Sequence, residues 1–149
     1  MPPATQLSAP LVKTSEGCRL VAYLCPAGIW TIGYGHAGKD VYAGLKITQE
    51  RAEALLVADL AAASTIVRKY VRAPLTAPQE AALVSFVFNV GMARFSGSTL
   101  VRRLNQGDYA CVPTQIARWN KGTVKGQLVV LPGLVARRAA EAALWKIPA

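Results

Sequence analysis

Between Glu16 and His36 the chain reads EGCRLVAYLCPAGIWTIGYGH, and this stretch holds the residues best suited to chemistry. The run from Leu11 to Ser15 predicts a short helix, and Gly17 is the residue type that ends a helix in a left-handed conformation. Glu16 then sits at the helix C-terminus, where the negative end of the helix dipole, together with burial, opposes ionisation of a carboxyl. A carboxyl that keeps its proton near neutral pH is what a general acid needs. Past Arg19, Leu20 to Tyr23 can extend, Pro26-Ala27-Gly28 is a turn, and Ile29-Trp30-Thr31-Ile32 alternates as a strand does. This β-hairpin would carry Cys25 and Thr31 back toward Glu16. Gly33 and Gly35, on either side of Tyr34, suit a bent strand that another backbone or a ligand approaches closely.

Taken singly, these residues are ordinary: a Glu near a helix end is usually a solvated charge, and Thr31 is common strand composition. Their spacing is not ordinary. Eight residues separate Glu16 from Cys25 and five separate Cys25 from Thr31. Together with Glu16-Gly17, Arg19-Leu20, Tyr23 and the run from Gly28 to His36, the pattern resembles the signature of the phage-type lysozymes, glycoside hydrolase family 24.

The resemblance extends from about residue 6 to Trp145 and implies an α+β, mainly α-helical fold: a small β-hairpin lobe and a larger helical lobe joined by a long helix. It implies a phage or prophage endolysin, a muramidase that hydrolyses the β-1,4 bond between N-acetylmuramic acid and N-acetylglucosamine with inversion. Glu16 takes the place of the acid, Thr31 that of the third member, and Cys25 stands where the family has Asp or sometimes Cys. Three roles for Cys25 stay open: a thiolate base or nucleophile, a partner of Thr31 in holding the attacking water, or no part in an enzyme that depends on Glu16 alone. By the same resemblance Phe88 and Asn89 line the sugar cleft, a hydroxyl at Ser98 or Thr99 meets the substrate, and His36 pairs with Asp59. Arg137 and Arg138 have two readings. One orients the cleft or pairs with Glu16, or both are helix-surface charges beside Glu141. Tyr23, Trp30 and Tyr34 are available either to the cleft or to the core of the small lobe. No metal or cofactor is expected, and the partners implied are bacterial peptidoglycan and a holin for passage across the membrane. A lytic transglycosylase and a non-catalytic peptidoglycan-binding protein are the competing readings.

The elements that must position these residues are legible downstream. At 149 residues, 52% apolar and 17% charged, the chain is long enough to bury a core and is expected to be a monomeric single domain. Its parts would be a small lobe over about 12–47, a linking helix over about 48–72, and a helical lobe over about 75–147 on which the N-terminal helix packs. Thr48 caps the linking helix, whose apolar residues Ala52, Leu55, Leu56, Leu60, Ala63, Ile66 and Val67 share one face, and Pro74 stops it. Thr76-Ala77-Pro78-Gln79 is a capping box with an early proline, and the AALVSFVFNVG that follows, apolar nearly all round, predicts a buried central helix. A shorter helix is expected from Ser96 to Asn105 with Arg102 and Arg103 exposed, another within Ala110 to Asn120, a loop over 121–130, and a last helix after Leu131-Pro132-Gly133-Leu134.

The net charge of +9 comes from 17 basic and 8 acidic residues. It is concentrated after Cys111, where Arg118, Lys121, Lys125, Arg137, Arg138 and Lys146 face a single acid, Glu141. Such a surface suits nucleic acid, an anionic membrane or the cell wall equally. No nucleic-acid motif accompanies it, so nucleic acid is not an expected partner. The grouping of Arg137, Arg138, Trp145 and Lys146 raises contact with an anionic outer-membrane surface as a hypothesis. Cys18, Cys25 and Cys111 form no C-x-x-C pair, so free thiols are expected rather than a disulfide framework or a zinc site. MPPATQLSAP lacks the pattern of a signal peptide, and accumulation in the host cytoplasm before release is the expectation.

Overall fold

The computed structural model describes residues 2–149. Helix α1 (Ala4–Glu16) is followed by three antiparallel strands in the order β1 (Arg19–Leu24), β2 (Trp30–Gly33) and β3 (His36–Ala37). Then come α2 (Gln49–Tyr70), α3 (Ala77–Val90), α4 (Met92–Ser96), α5 (Thr99–Asn105), α6 (Val112–Ala117), the hairpin β4 (Lys121–Val124) and β5 (Gln127–Val130), and α7 (Pro132–Trp145). The fold is mostly helical with a small antiparallel sheet. α1 begins earlier than the sequence led one to expect and runs through Pro10, which is exposed and forgoes one backbone hydrogen bond. Its Val12 is fully buried, and the helix lies against α3 and α2.

Two apolar clusters explain the architecture. The small one joins Ile32 and Val41 to Leu55, and the large one gathers Leu56, Leu60, Ala63 and Val67 with α3, Phe95, Leu100 and Ile116. α2 therefore serves both, because its adjacent residues Leu55 and Leu56 point into different clusters. Its start is fixed by Thr48, whose hydroxyl accepts the Arg51 N–H at 3.1 Å. Its 22 residues at about 1.5 Å each span roughly 33 Å. Around α3 the expected capping box is present in both halves, with Gln79 N–H on the Thr76 hydroxyl and the Gln79 side chain on the Thr76 N–H. Phe86 on α3 packs edge-on against Phe95 and Trp119 at 6.2 and 5.6 Å between ring centres.

Three expectations are corrected. Residues 121–130 form a hairpin, not a loop: Lys121 pairs with Val130 and Val124 with Gln127, around a Lys125-Gly126 turn with φ of +51° and +79°. The expected helix over 96–105 is two, because Ser96 closes α4 and Ser98 caps α5. Arg103 is half-buried and donates to Asp108 at 2.7 Å, so only Arg102 is fully exposed.

The small sheet is pinned to α2 through His36. Its Nδ1 lies 2.7 Å from Asp59 on α2 and its Nε2 3.0 Å from Asp40, a partner the sequence reading did not weigh. Burial works to lower the imidazole pKa, but the hydrogen bonds and charges of Asp59 and Asp40 prevail and raise it above 6.5. A raised folded-state pKa means that this contribution to stability is complete below 6.5 and is lost as pH climbs through the raised value. Asp40, held low by His36, sets the acid end: its share is lost as pH falls through its depressed value. In thermal melts across pH 5–9, the parent is expected to lose about 1.5 kcal/mol more than His36→Asn on the alkaline side, a low figure for a charged hydrogen bond because Asp40 is exposed. Parallel curves would show that the imidazole carries no such pair.

Candidate active site

Glu16 is the last residue of α1. Gly17 then turns the chain away with φ +66° and ψ 178°, positive in φ as glycine allows but extended rather than left-handed helical. The Glu16 carboxylate accepts a hydrogen bond from Nη1 of Arg137 at 2.5 Å. The Arg137 side chain is only 4% exposed, against 22% for Glu16, so the pair sits at the edge of the interior with the carboxyl outermost. Gly35, at the turn between β2 and β3, closes on the other side. A Cβ there would lie 2.6 Å from Glu16 Oε1 and 2.9 Å from its Cδ, and φ is +72°. Only glycine fits both the dihedral and the space. The close approach anticipated for this glycine is thus made to Glu16 itself.

Cys25 begins the turn between β1 and β2, where Gly28 N–H donates to its carbonyl at 2.8 Å and its own N–H to Ile29 O at 3.0 Å. The backbone of Ile29, and after it that of Ala27, favour charge on its sulfur and lower the thiol pKa against the opposing effect of burial. Thr31 is buried, pairs with Tyr23 across the strands, and donates its hydroxyl to Ile29 O at 3.0 Å. Tyr23 links the two ends of the site: burial first, and then the charges of Glu16 and Cys25, push its phenol up, while Arg19, 4.4 Å from its ring, works the other way.

The carboxyl lines one hollow, and its neighbour Gly35 lines a second. One of about 420 Å³ is lined by Glu16, Asn89, Arg137 and the segment from Leu131 to Leu134. The other, about 300 Å³, is lined by Gly35, Asp59, Phe88 and Met92. Phe88 and Asn89, adjacent at the end of α3, therefore line different hollows, Asn89 the one that holds Glu16 and Phe88 the one that Gly35 lines. A larger groove of about 790 Å³ between α1 and α7 is mostly apolar, and no carboxylate lines it.

Other candidates fall elsewhere. The Ser98 hydroxyl is buried and caps α5, donating to Phe95 O at 2.7 Å and accepting from Val101 N–H at 3.2 Å. Thr99 is the first residue of α5 and lines neither hollow. Tyr34 binds Glu53 and Gln49 of α2 through its hydroxyl and packs on the large cluster, while Trp30 packs on the small one. Arg137 and Arg138 are not surface charges: they are 5% and 1% exposed. Arg138 turns to Glu141 rather than to Glu16. Trp145 is buried as well, which leaves Lys146 as the exposed member of the group considered for membrane contact. Ser85 and Glu141 complete the buried network behind Arg137; Glu141 was expected beside the two arginines but on the helix surface, and Ser85 was not expected at all. A serine in an otherwise apolar helix was the available signal.

The arrangement is a carboxyl held between a guanidinium and a glycine, with a thiol of lowered pKa and a hydroxyl nearby. It is a set of groups for acid and base chemistry on a bound ligand. Among the described residues no group of three or more His, Cys, Asp or Glu could hold a metal ion.

Residues 13–141 match the family described as phage lysozyme. An endolysin of Acyrthosiphon pisum secondary endosymbiont phage 1 is 46% identical over 136 residues, covering 91% of this chain and 92% of its own. Among solved structures, the muramidase domain of SpmX from Asticaccaulis excentricus superposes with a TM-score of 0.88 at 38% identity, over 96% of this chain and 97% of that one. The endolysin from Escherichia coli O157:H7 phage FAHEc1 gives 0.84 at 39% identity, over 93% and 90%. The chain belongs to the phage lysozyme family.

Proposed function

We propose that this chain cleaves the β-1,4 bond between N-acetylmuramic acid and N-acetylglucosamine in peptidoglycan, with Glu16 as general acid and Cys25 and Thr31 handling the water. Family membership makes it a glycoside hydrolase of the muramidase type. The observation that supports the assignment of roles is the setting of Glu16, a partly exposed carboxyl clamped between Arg137 and Gly35 and lining a hollow with Asn89. Glu16 gives its proton to the glycosidic oxygen as the bond from that oxygen to the sugar C1 breaks. Water attacks C1 from the opposite face and loses a proton to the Cys25 thiolate, while Thr31, its own proton given to Ile29 O, accepts a hydrogen bond from that water. The product is the inverted hemiacetal. Phe88 and Asn89 would seat the sugars on the two sides of the acid.

As a phage or prophage endolysin, the protein acts on the host wall as a monomer at the end of infection. It collects in the host cytoplasm and reaches the wall through holin lesions. Among the described residues no helix is long and apolar enough to cross a membrane. The test is mass spectrometry of fragments released from purified peptidoglycan. Reducing muramic ends that have gained a water are expected; anhydro ends, or no release from intact wall, would overturn the reading.

A further inference from the structure

Behind the Glu16–Arg137 pair lies a second carboxylate that the reaction does not touch. Glu141 is fully buried one turn after Arg137 on α7, and its Oε2 is shared. It accepts from the Ser85 hydroxyl at 2.6 Å and from Arg138 Nη2 at 3.0 Å, and stands 3.4 Å from Arg137 Nε. Its Oε1 lies 2.7 Å from Arg138 Nε, close as an ion pair though not aligned as a hydrogen bond. Arg137 thus stands between two carboxylates, with Nη1 on Glu16, Nε toward Glu141 and Nη2 on the Ser85 carbonyl at 3.2 Å.

The groups around this array can be named element by element. α1 brings Glu16, and β1 brings Tyr23 beside it. α3 brings Ser85 and the Phe88 ring, 5.9 Å from the Arg137 guanidinium. α7 itself brings Arg138, whose guanidinium lies over Phe86 at 5.0 Å, and α6, packed on α7, carries no titratable residue. Burial pushes the Glu141 carboxyl up, while Arg138, Ser85 and Arg137 favour its ionised form, in which two guanidiniums face two carboxylates. Arg138 is held by Glu141 and an aromatic ring, so Arg137 is the cation that Glu16 and Glu141 divide between them.

We infer that Glu141 is a positioning residue that, through Arg137, sets the pH at which Glu16 can hold its catalytic proton. A guanidinium given wholly to Glu16 would hold that carboxyl ionised, and an ionised carboxyl cannot protonate a leaving oxygen. Drawing part of the charge toward Glu141 weakens that hold on Glu16. Ser85, by fixing Glu141 Oε2, fixes the direction of that draw.

The test is a carboxyl carbon NMR titration of Glu16 in the full chain, parent against Glu141→Gln, alongside the pH profile of wall hydrolysis. Glutamine keeps the shape and can still accept from Ser85 and Arg138, but it returns the Arg137 charge to Glu16. The Glu16 titration midpoint is expected to fall, with about a tenfold loss of proton affinity, and the limb of the rate profile that Glu16 governs to move down in pH with it. A purely structural Glu141 would lower stability and leave the midpoint where it was, and that result overturns the inference. Should Glu141→Gln leave Arg138 too poorly compensated to fold, Arg138→Met with Glu141→Gln removes the buried pair together, an exchange that interiors tolerate. The same downward movement, reduced in size, is expected there, and an unmoved midpoint again overturns the inference. The inference rests on Glu16 being the acid, but the NMR titration reads the coupling whether or not the chain hydrolyses wall: a moved midpoint in an inactive protein would count against the proposed function alone.

Discussion

Glu16→Gln is expected to reduce wall hydrolysis by about 10²–10⁴-fold, the range for removing a positioned general acid. The substitution deletes one proton donor and little else. The glutamine carbonyl can still accept from Arg137 Nη1, and Glu141 remains beside Arg137 Nε, so the buried guanidinium is not left without a partner. A stability loss of about 1 kcal/mol, or a few degrees in melting temperature at this chain length, is the expected accompaniment. The measurement is clearing of outer-membrane-permeabilised Gram-negative cells by parent and variant at matched concentration, with circular dichroism to verify the fold. A folded variant that retains more than a tenth of the parent rate would remove Glu16 from the mechanism.

What the sequence made legible was whatever it encodes locally. The Thr48 cap, the Thr76–Gln79 capping box and the stop before Pro74 depend on residues within a turn of one another, and α2 and α3 begin where those signals stand. The turn at Pro26-Ala27-Gly28 and the close approach at Gly35 were readable for the same reason, since proline and glycine restrict or free the backbone at their own positions. The partner at Gly35 was not readable, because it is contributed by a helix end nineteen positions away in the sequence. The β4–β5 hairpin escaped because both of its faces are largely exposed, which removes the alternation of apolar and polar residues that marks a half-buried strand.

What the sequence left open at the site has a common cause. Composition says that a residue is polar, not where its polarity is spent. Ser98 has the hydroxyl a sugar contact needs, but α5 uses it as a cap. Arg137, Arg138 and Glu141 have the spacing of a surface ion-pair ladder, and only the packing of α7 against α3 and α6 turns that ladder inward. The spacing of Glu16, Cys25 and Thr31 was informative because it reflects a strand, a turn and a return strand of fixed length, a geometry that random charge patterns do not reproduce.

Cys25→Ala is expected to cost about 10²-fold in rate, at the lower end of the effect of removing a general base because Thr31 still holds the water. Cys25→Ser should lose less than Glu16→Gln yet fail to recover the parent rate, since a serine hydroxyl offers a hydrogen bond but does not ionise in the working range. Cys25→Asp is the decisive variant. In the turn the backbone of Ile29 and Ala27 favours charge on the side chain of residue 25, a carboxylate as much as a thiolate. An aspartate there should act as base within about tenfold of the parent rate. The sign of its pH effect follows from the chemistry. The base must be ionised; a thiol ordinarily titrates near pH 8.5 and an aspartate near 3.9. Although the turn lowers the Cys25 thiol, the aspartate ionises at a lower pH still, so the optimum for hydrolysis should move acid-ward in Cys25→Asp. An active Cys25→Asp enzyme with an unmoved optimum would mean that residue 25 only positions water and that no base at this place limits the rate. A folded but inactive one would mean that the site needs sulfur itself, which points to a covalent step on the thiolate and away from direct displacement by water.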